Sequence, residues 1–109
     1  MTYYQAFIDN AFTDASNGAR MPVSDPATGE IWAEVPACTP EDVARAIETS
    51  ARAQQDWKML PPIERAGYIF RIAEGIGRNR DLLEDLLVKE QGKTLAEAAG
   101  EVTDTIRYL

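Results

Sequence analysis

The stretch Glu90-Gln91-Gly92-Lys93-Thr94-Leu95-Ala96-Glu97 joins two amphipathic helices and decides how the second half of this chain folds. Upstream of it, the leucines of residues 82–87 recur at helical spacing, and Gly92 stands where a left-handed residue commonly ends a helix. Thr94, followed three residues later by Glu97, has the pattern of a capping box, which begins a helix. The sequence therefore predicts two helices that meet at a glycine joint.

Three more boundary signals divide residues 39–109 into four predicted helices. Thr39, followed by a proline, is a good N-cap for the first helix. The pair Pro61-Pro62 ends any continuation of that helix and starts the second. Asn79 is expected to cap a third helix that runs to Gln91, and the capping box begins the fourth.

Three of these helices carry apolar residues three and four positions apart, the spacing of a face that packs. The broad face of the second helix predicts contact with more than one neighbour. The stripe of the last helix reaches the final residue with no signal that ends the helix, so we expect the chain to be incomplete at its C-terminus and to self-associate through the uncovered stripe. The faces comprise Val43, Ala46, Ile47, Ser50, Ala53 and Trp57 in the first helix, Ala66, Ile69, Phe70, Ile72, Ala73 and Ile76 in the second, and Leu95, Ala99, Val102, Ile106 and Leu109 in the last.

Residues 1–36 have the signals of short strands and turns instead. Residues 3–14 predict a β-hairpin that turns at Asp9-Asn10. The sequence Asp-Pro-Ala-Thr-Gly at residues 25–29 predicts a turn before a strand over residues 30–35. The predicted fold class is therefore α+β, a small N-terminal antiparallel β ribbon followed by four α-helices.

Composition excludes several classes of function. The 109 residues include 11 basic and 18 acidic side chains, a net charge of −7, which argues against nucleic acid and against anionic membrane surfaces as partners. No stretch is apolar for long enough to span a bilayer, and the N-terminus lacks the features of a signal peptide, so a cytoplasmic location is expected. There is no histidine, which excludes Ser-His-Asp and Cys-His nucleophile pairs and histidine-ligated metals.

The one cysteine, Cys38, precedes the first predicted helix, where a helix dipole can favour a thiolate. It is either a nucleophile or a small loop residue, and the absence of a histidine base or an adjacent cation favours the loop residue. The acidic residues Glu97, Glu101 and Asp104 could perform acid–base chemistry, but their spacing is more typical of a solvated helix face. Arg107 stands three residues after Asp104, where the two can form an ion pair.

Two glycine patterns resemble nucleotide-binding motifs and fail the tests for them. Gly92-Lys93-Thr94 looks like the end of a phosphate-binding loop, but Leu87 stands where the motif requires its first glycine. Gly75 and Gly77 form a Gly-x-Gly near the end of a helix, whereas a dinucleotide fingerprint begins one. We therefore predict neither kind of site.

In combination, these features resemble the N-terminal segment of the NAD(P)-dependent aldehyde dehydrogenase superfamily. Within it, Glu-Gln-Gly-Lys followed by Leu-Ala-Glu-Ala looks most like enzymes of the succinate-semialdehyde type, with lactaldehyde or glycolaldehyde enzymes as close alternatives. The family usually has asparagine where Asp25 stands. The matching residues are Phe7-Ile8-Asp9-Asn10, Asp25-Pro26-Ala27-Thr28-Gly29-Glu30, Ala51-Arg52-Ala53 to Trp57, Glu64-Arg65-Ala66, Glu90-Gln91-Gly92-Lys93, Glu97-Ala98 and Gly100-Glu101-Val102.

The resemblance implies that residues 1–109 are part of the cofactor-binding domain of an α/β enzyme that oxidises an aldehyde to an acid. A cysteine thiolate attacks the carbonyl, hydride passes to NAD or NADP, and a glutamate activates water. The family places these catalytic groups and the cofactor glycines beyond residue 109. This chain is therefore expected to carry no catalytic residue and no complete cofactor site, and its partners would be the rest of the enzyme and further copies in a homo-oligomer.

The resemblance also implies two secondary sites. Some family members hold a monovalent cation, Na⁺ or K⁺, and the corresponding ligands here are a backbone carbonyl of Val23 or Ser24 and the Glu90 carboxylate. The first half of the fourth helix borders the substrate tunnel in the family, which gives Glu101, Asp104 and Thr105 a lining role. Two alternatives to an enzyme segment remain: a free-standing helical interaction domain that uses the apolar stripe, and a small enzyme built on Cys38.

Overall fold

The computed structural model describes all 109 residues, which divide into two compact units. The first unit contains residues 1–24 and 31–59, and the second contains residues 25–30 and 60–109. The strands are β1 (Thr2–Tyr3), β2 (Ala6–Ile8), β3 (Ala11–Thr13), β4 (Arg20–Ser24) and β5 (Ile31–Pro36), and the helices are α1 (Pro40–Trp57), α2 (Pro62–Arg78), α3 (Arg80–Gln91) and α4 (Leu95–Tyr108).

The first unit contains a three-stranded sheet in the order β1-β5-β4. Strand β4 runs antiparallel to β5, as the turn at residues 25–29 requires, with Met21 opposite Val35. Strand β1 runs parallel to β5, with Thr2 opposite Ala33, so the expectation of an entirely antiparallel ribbon was wrong. A parallel pair needs a long connection, and here the chain between β1 and β5 provides it. No local turn signal in the sequence predicts such a pairing.

The predicted hairpin is confirmed as a separate two-stranded sheet, β2-β3. Asp9 and Asn10 occupy its turn with φ of 54° and 61°, the left-handed pair that matches the twist of two-residue hairpins. Phe7 and Phe12 are opposite each other across the strands, and their ring centroids lie 5.1 Å apart, edge to face. Both rings remain largely exposed.

Helix α1 begins at the predicted N-cap, Thr39, in a capping box completed by Asp42. Asp42 is only 2% exposed, and its carboxylate accepts hydrogen bonds from the backbone N–H of Ser16 at 3.0 Å and of Thr39 at 2.9 Å. This carboxylate therefore ties the turn at residues 15–18 to the start of the helix. The predicted apolar face of α1 is largely uncovered, since the side chain of Ile47 is 65% exposed.

Helices α2, α3 and α4 form the second unit. Its most buried side chains are Ala98, fully buried, and Val102, 4% exposed, both on α4. Of the predicted apolar stripe of α4, Val102 is therefore buried, whereas Leu95 is 58% exposed. The other buried residue of this helix is Ala98, which lies outside the predicted stripe. None of the four helices combines the length and the apolar character that a membrane-spanning helix needs.

The boundary between α2 and α3 lies at Asn79, as predicted, but the role of this side chain differs. Its Nδ2 donates to the Gly75 carbonyl at 2.8 Å, so it completes the C-terminus of α2. It makes no capping bond to α3, because a φ of −109° and ψ of 20° are not the extended backbone of an N-cap. The expectation that Asn79 caps the third helix was therefore wrong.

Candidate functional site

The joint between α3 and α4 has the geometry that its sequence predicts. Gly92 is left-handed, with φ of 66°, and its N–H donates to the Val88 carbonyl at 2.9 Å, which ends α3. Thr94 Oγ1 accepts from the Glu97 N–H at 3.3 Å, and the Glu97 carboxylate accepts from the Thr94 N–H at 3.0 Å. The Thr94 backbone bond is the main cause that lowers the pKa of Glu97 below its ordinary value of 4.5. Glu97 is thus a helix cap, which excludes it as an acid that exchanges protons near neutral pH.

Beside this joint, the second unit contains a cavity of about 360 Å³. Its apolar wall comes from all three helices, and its polar groups are Glu90, Glu101 and Thr105. The structure therefore brings together three residues that the sequence assigned to two different sites. The apolar lining residues are Ile76, Leu83, Leu86, Leu87 and Val102.

Two of the three polar groups of this cavity, Glu101 and Thr105, have local partners. Glu101 forms an ion pair with Lys93, whose side chain is 18% exposed. Thr105 Oγ1 donates to the Glu101 carbonyl at 2.8 Å, one turn back along α4. Because one carboxylate is already neutralised by a lysine, the arrangement is suited to bordering a ligand rather than to transferring protons.

Asp104, the third predicted tunnel residue, does not line this cavity. Its carboxylate lies 3.6 Å from the Arg107 guanidinium in the ion pair expected from their spacing, and both side chains are more than 60% exposed. On this unit alone it belongs to a solvated helix face, and such exposed pairs contribute little to stability.

The predicted cation ligands lie on different elements. Val23 and Ser24 end strand β4, at a register shift against β5. Glu90 is exposed and lies at the end of α3. No group of three or more histidine, cysteine, aspartate or glutamate residues is placed to hold a metal. Glu90 alone is a single oxygen ligand, and a hard cation needs several more.

Cys38 is exposed and unpaired, between β5 and α1. It borders a second cavity, of about 400 Å³, in the first unit with Ile8 and the uncovered face of α1. The other lining residues are Val43, Ala46, Ile47 and Ser50, of which only Ser50 is polar. None of them is a general base that could activate a thiol, so the loop-residue interpretation of Cys38 is the one its neighbourhood supports.

The sequence did not predict the side chain that links α3 to α4 through hydrogen bonds, Arg80. Arg80 donates from its guanidinium to Glu84 on α3 and to Thr103 on α4, at 2.8 Å and 3.1 Å. The bond within α3 follows from i, i+4 spacing, but Thr103 is 23 residues away. No sequence signal identifies that second partner.

Residues 12–109 match the family described as "Aldehyde dehydrogenase family". The chain belongs to this family. The match confirms the resemblance drawn from the residues at the glycine joint and the turn at residues 25–29. It gives no support to the alternative of a free-standing helical interaction domain.

Individual relatives resemble this aldehyde dehydrogenase chain over most of its length. A glutarate-semialdehyde dehydrogenase of Pseudomonas aeruginosa is 41% identical over 96% of the chain and 22% of the relative. The solved lactaldehyde dehydrogenase of Escherichia coli superposes with a TM-score of 0.94 and 34% identity, over 98% of this chain and 22% of that one. The NADP complex of an NADP-dependent glyceraldehyde-3-phosphate dehydrogenase from Bacillus halodurans has a TM-score of 0.93 and 27% identity, over 96% and 22%.

The chain therefore spans about a fifth of the length of the relatives it matches. Its agreement with complete enzymes confirms the predicted fold class, an α+β segment of the aldehyde dehydrogenase fold. The correction of strand β1 changes the pairing inside that segment and leaves its class unaltered.

Proposed function

We propose that this chain is the N-terminal scaffold segment of an NAD(P)-dependent aldehyde dehydrogenase that oxidises a small aldehyde or semialdehyde to the carboxylic acid. The observation that carries the proposal is the TM-score of 0.94 over 98% of the chain against a complete lactaldehyde dehydrogenase. A semialdehyde enzyme among the relatives, at 41% identity, supports the substrate class. The complete enzyme is proposed to be a cytoplasmic homo-oligomer.

In this proposal the cradle for the dinucleotide is formed by the rest of the enzyme. Gly75 and Gly77 lie inside α2, and a Cβ added at Gly77 would meet Ile106 of α4 rather than open space for a phosphate. A bound NAD(P) would supply the acceptor for the hydride that the substrate carbon loses in the oxidation. The chain's own contribution is to present α4, with Glu101 and Thr105, toward the cavity, and the reacting groups belong to the rest of the enzyme.

The decisive experiment is a chimera. The matching segment of the Escherichia coli lactaldehyde dehydrogenase is replaced by residues 1–109, and formation of reduced nicotinamide is followed with small aldehydes. We expect the chimera to oxidise aldehyde and the isolated chain to show no turnover. The recipient enzyme lacking its own segment is the control. A folded chimera without activity, or turnover by the isolated chain, would contradict the proposal.

We also propose that Glu101, Asp104 and Thr105 line the substrate tunnel of the complete enzyme. The cavity that Glu101 and Thr105 share supports this for two of the three. In the chimera, Thr105→Val should alter KM for the aldehyde and leave KM for NAD(P) unchanged, because α4 carries no cofactor contact in this proposal. An unchanged aldehyde KM in Thr105→Val, Glu101→Gln and Asp104→Asn together would exclude the lining role.

For the cation, we propose that the Glu90 carboxylate supplies one ligand to a Na⁺ or K⁺ ion in the complete enzyme, with backbone oxygens as the others. Its position at the end of α3, beside the cavity, supports this. The chimera should be stabilised against heat by K⁺ or Na⁺, and Glu90→Gln should remove that dependence. A Glu90→Gln variant that responds to both ions as the parent does would rule out the ligand role.

A further inference from the structure

Arg80, the first residue of α3, is bonded to both α3 and α4 through its guanidinium. One terminal nitrogen donates to Glu84 Oε1 at 2.8 Å and to the Ala99 carbonyl at 3.4 Å. The other terminal nitrogen donates to Thr103 Oγ1 at 3.1 Å. The Arg80 side chain is 35% exposed and the Glu84 side chain 13%, so the group is partly shielded from water. A planar guanidinium with several donors is suited to this kind of multiple contact.

The two α4 partners of Arg80 share one side of that helix. Ala99 and Thr103 are four residues apart, about one turn, so they stand one above the other. Glu101 lies on the opposite side of α4, where it is paired with Lys93. The buried positions, Ala98 and Val102, run between these two sides. Arg80 and Lys93 therefore contact α4 on opposite sides of its buried residues.

The two most buried apolar positions of α4 do little to fix its rotation. Its most buried residues are an alanine and a valine, which present short, smooth side chains to the neighbouring helices. Helix packing fixes rotation best when large side chains interdigitate. The hydrogen bonds that Arg80 makes to Thr103 Oγ1 and the Ala99 carbonyl add a directional constraint from α3, beside the packing of Ile106 near Gly77 of α2.

We propose that Arg80 is a positioning residue that sets the rotation of α4 about its axis and so fixes where Glu101 and Thr105 stand in the cavity. This role rests on the proposed function, in which that cavity wall borders the substrate tunnel. Arg80 itself touches neither substrate nor cofactor in this assignment. It acts through Thr103, which lies two residues before Thr105.

The test uses the chimeric enzyme and compares Thr103→Val with Thr103→Ser. Valine has the shape of threonine without the acceptor for Arg80, whereas serine keeps the hydroxyl. We expect Thr103→Val to raise KM for the aldehyde about fivefold, the scale of one lost hydrogen bond of typical net strength, and Arg80→Gln, which loses three such bonds, to raise it at least as much. The kcat should stay within about twofold and KM for NAD(P) unchanged, and Thr103→Ser should behave as the parent. Arg78→Gln is the matched control, because Arg78 is 70% exposed and pairs only loosely with Glu74 at 3.9 Å.

Two outcomes would overturn the assignment. One is an aldehyde KM unchanged in Thr103→Val and Arg80→Gln, even if both lower the melting temperature. The other is a loss that Thr103→Ser or Arg78→Gln shares equally. A chimera with the unaltered segment and no activity would instead refute the proposed function.

In that last case Arg80 is tested on residues 1–109 by hydrogen exchange. The amides of α4 should exchange at least about fivefold faster in Arg80→Gln than in Arg78→Gln, because Arg80→Gln loses the bond to Thr103 together with those to Glu84 and the Ala99 carbonyl. Equal exchange of α4 in the two variants would overturn the rotational role without reference to catalysis.

Discussion

Replacement of Gly92 by alanine tests how the glycine joint is held. Gly92 has φ of +66°, a conformation that residues with a Cβ adopt only at a cost. A Cβ added there would lie 3.1 Å from the Cβ of Pro26 and 3.5 Å from its Cγ. Pro26 belongs to the turn at residues 25–29, which is part of the same unit as the joint. The substitution therefore strains the backbone and presses on a neighbouring ring at once.

The magnitude follows from these two effects. The left-handed conformation costs roughly 1–2 kcal/mol for a residue with a Cβ. The contact at 3.1 Å requires Pro26 to move by a few tenths of an ångström, which adds up to about 1 kcal/mol by comparison with overpacked cores. We therefore expect Gly92→Ala to lower the free energy of unfolding by about 2 kcal/mol, which corresponds to a fall in Tm on the order of 10 °C for a chain of this size.

The assay is urea unfolding of the chain followed by far-ultraviolet circular dichroism. Gly100→Ala is the control, since Gly100 lies within α4 and a Cβ there meets nothing within 4 Å. It should stabilise the chain by roughly 0.5–1 kcal/mol, because alanine favours a helix over glycine. Gly92→Asn separates the two effects, because asparagine tolerates the left-handed backbone but still carries the Cβ. A Gly92→Ala variant as stable as the parent would refute the reasoning.

Three further predictions concern stability and association. Asp42→Asn should lower the Tm by several degrees, because the Ser16 and Thr39 donors lose a charged acceptor. The hydrogen bond from the Ser16 backbone is the main cause that holds the pKa of Asp42 below 3.8. The difference in Tm between parent and variant should therefore be full above about pH 4 and shrink as the pH falls further. Thermal scans from pH 7 to pH 2 measure this, and a difference that persists at the lowest pH would contradict it. Thr94→Ala should cost about 1 kcal/mol in urea unfolding through the lost cap, and Thr94→Ser little, whereas equal losses would exclude the cap. The isolated chain should self-associate in sedimentation velocity runs, since Ile63 and Leu95 are among its many exposed apolar side chains, and a monomer at every concentration would oppose that prediction.

Features decided by neighbouring residues were predictable from the sequence. The turn at Asp9-Asn10, the N-cap at Thr39, the left-handed Gly92 and the capping box at Thr94 all depend on residues within about four positions, and the structure has each of them. The cavity polar groups Glu90, Glu101 and Thr105 entered through the family resemblance. Their grouping on one cavity wall follows from how α3 and α4 pack.

Features that depend on distant residues were missed or assigned differently. The parallel pair of β1 and β5 joins Thr2 to Ala33, and no turn residue marks such a pairing. Asn79 had two helix ends within reach, and only the backbone angles decide which one its side chain completes. The bond from Arg80 to Thr103 spans 23 residues, so sequence spacing cannot reveal it.

The division of the chain has a consequence for how it folds and how it can be cut. Residues 25–30 belong to the helical unit although they lie in sequence among the strands of the other unit. Pro26 and Gly92 are separated by more than half of the chain, so their contact closes a long loop and carries the entropy cost of doing so. A fragment that starts at residue 60 would keep every helix of its unit and lose the turn that faces Gly92. A cut after residue 59 keeps all of the first unit on one fragment but separates residues 25–30 from the helices, so no single cleavage yields the helical unit whole.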